Sequence, residues 1–293
     1  MIHFLSYYEP YGGLCNQLYL ITNHIHDCYT KGNSLFIHKI NIDIFHKKRV
    51  HANQVLDISK TNENIKNLIG YEILIEQQPE TIEFIPRLCI YPVSSIEFLN
   101  CLEFHKNILQ EVENIKGCIH KQNPDMCNYF AVHFRLDIDA IIHYTFGKEI
   151  YNTFMGITDK LESLEYFNKL DQEKIKRYCS FLMRQYYLLI SKIGFNKPWY
   201  ICTSITKWVI HEPMRVYLNK VVNFILENHG SYFIPEIVYQ DRELNALVDL
   251  LILRESSAYI GFEGSSFSEG YCKKVNSIRS PHKVCYFIKE FNV

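Results

Sequence analysis

The feature that most constrains the fold is the regular alternation of short apolar runs with longer amphipathic stretches along the chain. Apolar runs at 2–6 and 34–38 predict strands, and the amphipathic stretch 16–31 predicts a helix between them. Strand, glycine turn, helix and strand in this order form a βαβ unit, which is typical of an α/β sheet. The same reasoning predicts further strands at 71–76, 129–134, 199–202, 232–239, 258–262 and 284–288, and further helices at 103–116, 171–193, 213–228 and 241–255.

These elements fall into two groups, and we predict an α/β protein with two Rossmann-like halves that face a central cleft. The length of 293 residues suits two domains of ordinary size. Residues 140–170 interrupt the pattern with weak periodicity and many aromatic side chains, so we expect an insertion or a lid there. Ligands of such sheets bind at the carboxyl ends of the strands, and the turns that follow strands are therefore where functional residues are expected.

Charge and cysteine content argue against several classes of function. The net charge is −1 and no basic stripe is visible, which is unlike a protein that binds nucleic acid. The ten cysteines form no CxxC pair and no zinc spacing, so we interpret them as reduced thiols of a cytoplasmic protein. The sequence has neither a secretory signal pattern nor an apolar run of about 18 residues, and we expect no transmembrane segment.

The first functional candidate is the turn at 11–17, where Gly12 and Gly13 precede a predicted helix. Adjacent glycines let the backbone turn tightly and let a ligand approach it closely. The amides at a helix N-terminus favour an anion, and Asn16 and Gln17 can hydrogen-bond a sugar or a base. The alternative is a plain strand-to-helix turn without a ligand.

The second candidate follows the predicted strand 129–134. His133 and Arg135 share one face of that strand because side chains alternate with period two. An arginine fork matches a pair of diphosphate oxygens, and a histidine can bond a ribose or a phosphate. One alternative is a buried ion pair between Arg135 and an aspartate inside the loop. Another is a metal site on Asp137 and Asp139, although Arg135 already offers the charge that Mg²⁺ would supply.

The third candidate is the segment 261–268, where a predicted strand ends in glycine and small hydroxyl residues begin a helix. Amides, hydroxyls and the helix dipole together form a cradle for an anion. The alternative is a serine that caps the helix, with an aromatic anchor behind it. The residues of interest here are Gly264, Ser265, Ser266 and Phe267, with Asp249 on the preceding helix.

Three such turns at three strand ends describe a cleft with amide donors, one arginine, one histidine and several carboxylates. That is what binding a nucleoside diphosphate without a P-loop requires. The motifs GGLCNQ, VLDIS at 55–59, HFRLDID at 133–139 and LVDLLILRESSAYIGFEGSSFS at 247–268 resemble, in order and spacing, those of the GDP-fucose O-fucosyltransferases and related fucosyltransferases. The resemblance spans nearly the whole chain, and its specificity comes from order rather than from any single motif.

The resemblance implies a GT-B fold, with the nucleotide between two Rossmann-like domains, and inverting catalysis without a metal. It implies an acceptor-side domain at 1–125 and a nucleotide-sugar-binding domain at 126–293. The chain departs from the family at three points. Asp137 stands where glutamate is usual, Thr203-Ser204 where an aspartate is frequent, and Ser266 where threonine is frequent.

The resemblance also implies roles for individual residues. Asn16 would lie near the donor sugar and diphosphate, His133 and Arg135 at the ribose and phosphates, and Asp249 near the guanine. Ser265, Ser266 and Phe267 would surround the phosphates and the base.

We therefore predict an inverting, metal-independent glycosyltransferase that needs no cofactor and moves a sugar onto a protein or glycan hydroxyl. The expected donor is GDP-fucose, or another nucleotide sugar. Arg135 is expected to stabilise the leaving diphosphate, and Glu9 or Asp137 to serve as the general base, with Asp139 as a further candidate. The alternatives are a non-catalytic protein that binds a nucleotide sugar or a glycan, and a hydrolase built on Cys15 and His133.

Overall fold

The structure is a computed structural model in which two mainly parallel sheets are packed with helices. It describes residues 2–6, 13–43, 48–78, 80, 83–84, 96–124, 128–136, 138–157, 159–202, 212–235, 241–263, 265–279 and 283–288. The α/β class predicted from the alternation of elements is confirmed.

The N-terminal sheet has five strands: β1 (Ile2–Ser6), β2 (Ser34–Asp43), β3 (Lys48–His51), β4 (Leu74–Ile75) and β5 (Glu83–Phe84). Their order is β3-β2-β1-β5, with β4 also beside β2. All pairings are parallel except that of β2 with β3. The parallel pair β1–β2, joined through a helix, is the βαβ unit expected from the first forty residues.

Among the described residues of this half, four α-helices accompany the sheet: α1 (Leu14–Lys31), α2 (Ile58–Ile69), α3 (Ile96–Cys101) and α4 (Lys106–Gln122). Helix α1 ends at Gly32, whose φ of 67° is a left-handed conformation that glycine adopts without strain. Helix α2 begins where the Asp57 carboxylate accepts a hydrogen bond from the Lys60 amide. Helix α4 buries one apolar stripe, formed by Ile108, Val112, Ile115 and Ile119.

The C-terminal sheet is parallel throughout and has the order β10-β9-β6-β7-β8. Its strands are β6 (Phe130–His133), β7 (Trp199–Cys202), β8 (Tyr232–Phe233), β9 (Ala258–Phe262) and β10 (Val284–Ile288). Strands β6, β7 and β9 are buried on both faces, which explains their unbroken apolar sequence. Strand β8 is shorter than the predicted 232–239, because the backbone at 234–235 already leaves the sheet.

Seven helices and one π-helical segment surround this second sheet in the described part of the chain. They are α5 (Ile138–Phe146), α6 (Lys148–Met155), α7 (Lys160–Lys169), α8 (Gln172–Ile193), α9 (Glu212–Glu227), α10 (Arg242–Glu255), the π-helical segment (Ser266–Lys273) and α11 (Lys274–Arg279). The stretch 140–170, despite its weak periodicity, is mostly helical, and Phe154 and Phe167 pack into the core. That it is an insertion or a lid stays a prediction. No helix among the described residues is both long and apolar enough to cross a membrane.

Two hydrophobic cores lie on the two faces of the C-terminal sheet. Ala131, Tyr200 and Tyr259 belong to the first core, whereas the alternate residues of the same strands belong to the second. The first core also contains apolar residues of α1, β2 and α4, so it is continuous between the two sheets. Helix α10 is buried within it along most of its length. The division into domains 1–125 and 126–293 stays a prediction.

Candidate functional site

The carboxyl end of β6 carries His133, which is fully buried against the π-helical segment. Its Nδ1 lies 3.2 Å from Ser268 Oγ, and the centroids of its ring and the Phe267 ring are 4.6 Å apart. Burial, and secondarily the charge of Arg135, hold the pKa of His133 well below its usual range. The imidazole is therefore neutral. Its Nε2 is also buried, and no hydrogen-bond partner for it is found among the described residues.

The π-helical segment is held against β9 by two serine hydroxyls. Ser265 caps the segment, because its Oγ accepts hydrogen bonds from the amides of Phe267 and Ser268 at 3.3 and 3.4 Å. Ser268 Oγ accepts a bond from the Phe262 amide at 2.8 Å. A Cβ at Gly261 would lie 2.9 Å from the Ser268 Cβ, so the strand needs glycine at this point. The cap and the His133 contact together fix this turn beside β6.

Arg135 follows β6 and brings a positive charge towards the first turn of α1. The charge of its guanidinium acts on the pKa of both His133 and Cys15. Cys15 belongs to α1 and His133 to the C-terminal sheet, so two of the three sequence candidates meet here. Burial nevertheless raises the pKa of Cys15 well above its usual range, and the nearby Cys272 and Glu243 raise it further. A thiol held protonated in this way argues against the cysteine hydrolase alternative.

The N-terminus of α1 already holds an anion, and that anion belongs to the protein. Glu243 Oε2 accepts a hydrogen bond from the Leu14 amide at 2.6 Å, across 229 residues of sequence. A Cβ at Gly13 would lie 3.1 Å from the same oxygen, so glycine leaves room for the carboxylate. The anion affinity expected of this turn is thus satisfied, at the Leu14 amide, by Glu243.

A buried group of charges surrounds that contact. Arg242 lies 3.8 Å from Asp139 and 4.0 Å from Glu243, measured between guanidinium nitrogens and carboxylate oxygens. Burial raises the pKa of Glu243, and the charges of Asp43 and Asp139 add to the rise. The charge of Arg242 and the bond from the Leu14 amide oppose it. Asp139 is thus part of an internal ion pair, but its partner is Arg242 of α10 and not Arg135 of its own loop.

The two amide side chains of the first motif have different surroundings. Gln17 is fully buried and pairs with the backbone of Asn41 in β2, donating to its carbonyl at 2.8 Å and accepting from its amide at 2.9 Å. The Gln17 side chain therefore satisfies the backbone groups of Asn41 as a paired strand would. Asn16 is half-buried on the first turn of α1, where its backbone N–H donates to the Gly13 carbonyl at 3.0 Å.

Asp249 lies deep in the first core, on the face of α10 that meets β7. The Tyr200 hydroxyl donates to its carboxylate, and burial followed by the Asp249 charge raises the pKa of Tyr200 well above its usual range. The residue predicted to face guanine thus has an internal partner one strand away from β6.

Some of the candidate residues belong to stretches outside the part of the chain that the structure describes. Glu9, Gly12, Asp137 and Gly264 lie outside the described residues, and only the backbone of Ser266 is described. Within the described ranges, no group of three or more histidine, cysteine, aspartate or glutamate side chains is arranged to hold a metal ion. The eight cysteines in those ranges are free thiols.

The sequence reasoning did not single out Glu243, Arg242 or Ser268 as individual site residues. In the sequence, Glu243 looks like an exposed first-turn acid that suits the helix dipole, and only the position of α1 in space reveals its contact. Ser268 was noted only as the end of the third segment, and its link to His133 spans 135 residues.

Comparison with solved structures identifies the fold. A crystal structure of POFUT1 in complex with GDP-fucose matches with a TM-score of 0.61 at 11% identity, covering 98% of this chain and 97% of that chain. A crystal structure of POFUT1 in complex with GDP matches with a TM-score of 0.60 at 11% identity, covering 98% of both chains. Another GDP complex gives a TM-score of 0.60 at 10% identity. No protein-family model and no curated protein matches the sequence. POFUT1 is a GDP-fucose O-fucosyltransferase, so the expected resemblance is confirmed at the level of the fold.

Proposed function

We propose that this protein is an inverting glycosyltransferase that takes a sugar from a guanosine diphosphate donor, GDP-fucose in the first instance. The observation that carries the proposal is the coincidence of two findings. The chain shares its fold, over nearly its full length, with POFUT1 in complex with GDP-fucose. The edge of its C-terminal sheet also brings together Arg135, a neutral buried histidine and a capped turn.

These groups suit a diphosphate leaving group. In the proposed reaction an acceptor hydroxyl attacks the anomeric carbon, the bond from that carbon to the diphosphate oxygen breaks, and GDP departs. Negative charge grows on the leaving oxygen, and a fixed guanidinium at Arg135 lowers the barrier. A neutral His133 can donate one hydrogen bond to the ribose or a phosphate. Fixed charge of this kind lets the reaction proceed without a metal.

The remaining roles follow from the resemblance and belong to the same proposal. Glu9 or Asp137 would accept the proton of the attacking hydroxyl. Asn16 would contact the donor sugar, and Ser265, Ser266 and Phe267 the base and phosphates, with Gly12 and Gly264 leaving room for them. The donor would lie between the domains at 1–125 and 126–293, and the acceptor would be a protein or a glycan.

Thermal denaturation with a panel of nucleotides tests the donor class. A ligand that binds only the folded state raises the midpoint temperature with its concentration. We expect GDP and GDP-fucose to raise it and UDP, CDP and ADP to have little effect. The GDP shift should become clearly smaller in Arg135→Ala and persist unchanged in Arg177→Ala, which removes an exposed arginine of α8.

Three results would change the assignment. A shift with UDP but not with GDP would mean that the donor carries uracil instead of guanine. Loss of the GDP shift in EDTA would mean that GDP binding requires a metal ion. A GDP shift without sugar transfer to any of a broad set of acceptors, and without hydrolysis, would favour the non-catalytic binding protein.

A further inference from the structure

At the point where β6 leaves the sheet, two backbone groups need a partner that the neighbouring strand does not supply. The last strand-like bond on the β7 side runs from the Phe134 amide to the Cys202 carbonyl at 3.2 Å. The His133 carbonyl and the Arg135 amide flank Phe134. Buried backbone groups of this kind are almost always paired, and these two are paired by one side chain.

That side chain is Tyr186 of α8. Its hydroxyl donates to the His133 carbonyl at 2.9 Å and accepts from the Arg135 amide at 2.9 Å. The single hydroxyl proton points at the carbonyl oxygen, and a lone pair of the hydroxyl oxygen faces the amide N–H. The ring is fully buried and lies 5.4 Å from the Phe134 ring, so the hydroxyl is held rigidly.

We propose that Tyr186 is a positioning residue for Arg135, and through it for the diphosphate of the donor. This inference rests on the proposed function and deepens it. Tyr186 contacts the backbone on both sides of Phe134 and so fixes the direction in which Arg135 leaves the strand. A guanidinium stabilises a departing phosphate only if it is held where the charge appears, and an error of about 1 Å can cost about 100-fold in rate.

The position of α8 in the fold explains why a tyrosine of this helix can bond the backbone at the end of β6. Helix α8 covers the second face of the C-terminal sheet, whereas His133 has the same strand parity as Ala131, which faces the first core. A residue on α8 reaches the backbone of β6 from the face opposite to the imidazole. Tyr186 thereby holds the strand end without occupying the space beside His133 and Arg135.

The test is a double-mutant cycle read as affinity for GDP by calorimetry. Tyr186→Phe removes only the hydroxyl, Arg135→Ala removes the guanidinium, and a third variant carries both changes. Each single change is expected to weaken GDP binding by about tenfold or more. If Tyr186 acts through Arg135, the double variant binds GDP no more weakly than Arg135→Ala. Losses that multiply in the double variant would overturn the positioning role.

The matched control is Tyr178→Phe. Tyr178 is another fully buried tyrosine of α8, and its ring stacks on Tyr144 at 6.5 Å. This variant is expected to bind GDP like the wild type. A loss as large as that of Tyr186→Phe would mean that any buried hydroxyl of α8 matters equally, and would contradict the proposal.

Hydrogen exchange at the Arg135 amide gives a readout that does not depend on GDP. We expect the amide to be protected in the wild type and in Tyr178→Phe, and to exchange at least about tenfold faster in Tyr186→Phe. Unchanged exchange in Tyr186→Phe would overturn the inference. A wild-type chain that binds no GDP while this amide behaves as expected would contradict the proposed function instead, and the two failures are therefore distinguishable.

Discussion

Replacing Glu243 by glutamine keeps the size of the side chain and an oxygen for the Leu14 amide, but removes a buried negative charge where α10 meets α1. Replacing it by alanine removes the acceptor as well. The two substitutions therefore separate the hydrogen bond from the charge. Glu227→Gln is the matched control, because Glu227 is exposed at the end of α9.

The expected changes in the free energy of unfolding follow from the burial of Glu243 and of the Leu14 amide. In Glu243→Ala the Leu14 amide loses its partner in a buried place, which costs about 1–3 kcal/mol of the free energy of unfolding. In Glu243→Gln the amide keeps a neutral acceptor, and a buried charge no longer has to be removed from water. Arg242 keeps Asp139 as an ion-pair partner at 3.8 Å, so its charge is not left uncompensated, and we expect a change within about 1 kcal/mol at neutral pH.

The dependence on pH is the sharper part of this prediction. Burial raises the pKa of Glu243 above its ordinary value of 4.5. Between that value and the raised one, the folded protein binds more protons than the unfolded chain, so the free energy of unfolding falls as pH rises. Glutamine does not titrate. The wild type should therefore lose stability relative to Glu243→Gln as the pH rises above about 4.5.

Urea unfolding at a series of pH values measures these differences, with Glu227→Gln expected to follow the wild type throughout. The account of this junction would be wrong in either of two cases. One is a stability of Glu243→Gln as low as that of Glu243→Ala. The other is a wild type that gains stability over Glu243→Gln as the pH rises.

Three further predictions concern neighbouring contacts. Gly270→Ala places a Cβ 1.9 Å from the Tyr19 hydroxyl oxygen and should cost about 1–3 kcal/mol by chemical denaturation, with Tyr19→Phe restoring part of the loss. Burial lowers the pKa of Lys283 to about 8, so from about pH 8 to about pH 10.5 the free energy of unfolding of the wild type should rise relative to that of Lys283→Met in urea titrations. His133, whose pKa burial holds well below its usual range, should stay neutral at about pH 6.5 in a histidine NMR titration, and a ring that titrates there would contradict its burial.

Much of the fold can be predicted from the sequence, because local signals and the core agree. Helix α10 is predicted at 241–255 from its apolar spacing and is observed at Arg242–Glu255. The predicted helix 171–193 is observed at Gln172–Ile193, where the Asp171 carboxylate caps it. The parallel strands are visible as unbroken apolar runs because both of their faces are buried.

The stretch 140–170 was harder to predict, because its three helices are short. Helix α5 has buried residues at most of its nine positions, so no polar face marks the helical period. Helix α7 is recognisable mainly by its cap, where the Asp159 carboxylate accepts from the amides of Leu161 and Glu162. Tertiary packing, rather than local periodicity, defines these elements.

The candidate site is only partly readable for a different reason. His133 and Arg135 stand out because they end an apolar strand. The groups that hold them do not, since Tyr186 looks like an ordinary core aromatic of a long helix. The partner of Asp241 is also not readable from the sequence. Asp241 stands at the N-cap position of α10 as expected, but its carboxylate accepts hydrogen bonds from Lys48 at 2.8 and 2.9 Å instead of from the helix amides.

Release of GDP from GDP-fucose tests the proposed transferase most directly. Without an acceptor, water takes the place of the acceptor hydroxyl, and slow hydrolysis reports the same displacement. The account predicts that the wild type and Arg177→Ala release GDP in the presence of EDTA, and that Arg135→Ala releases none above the uncatalysed background. Release by Arg135→Ala at the wild-type rate, or no release by a wild type saturated with GDP-fucose, would contradict it.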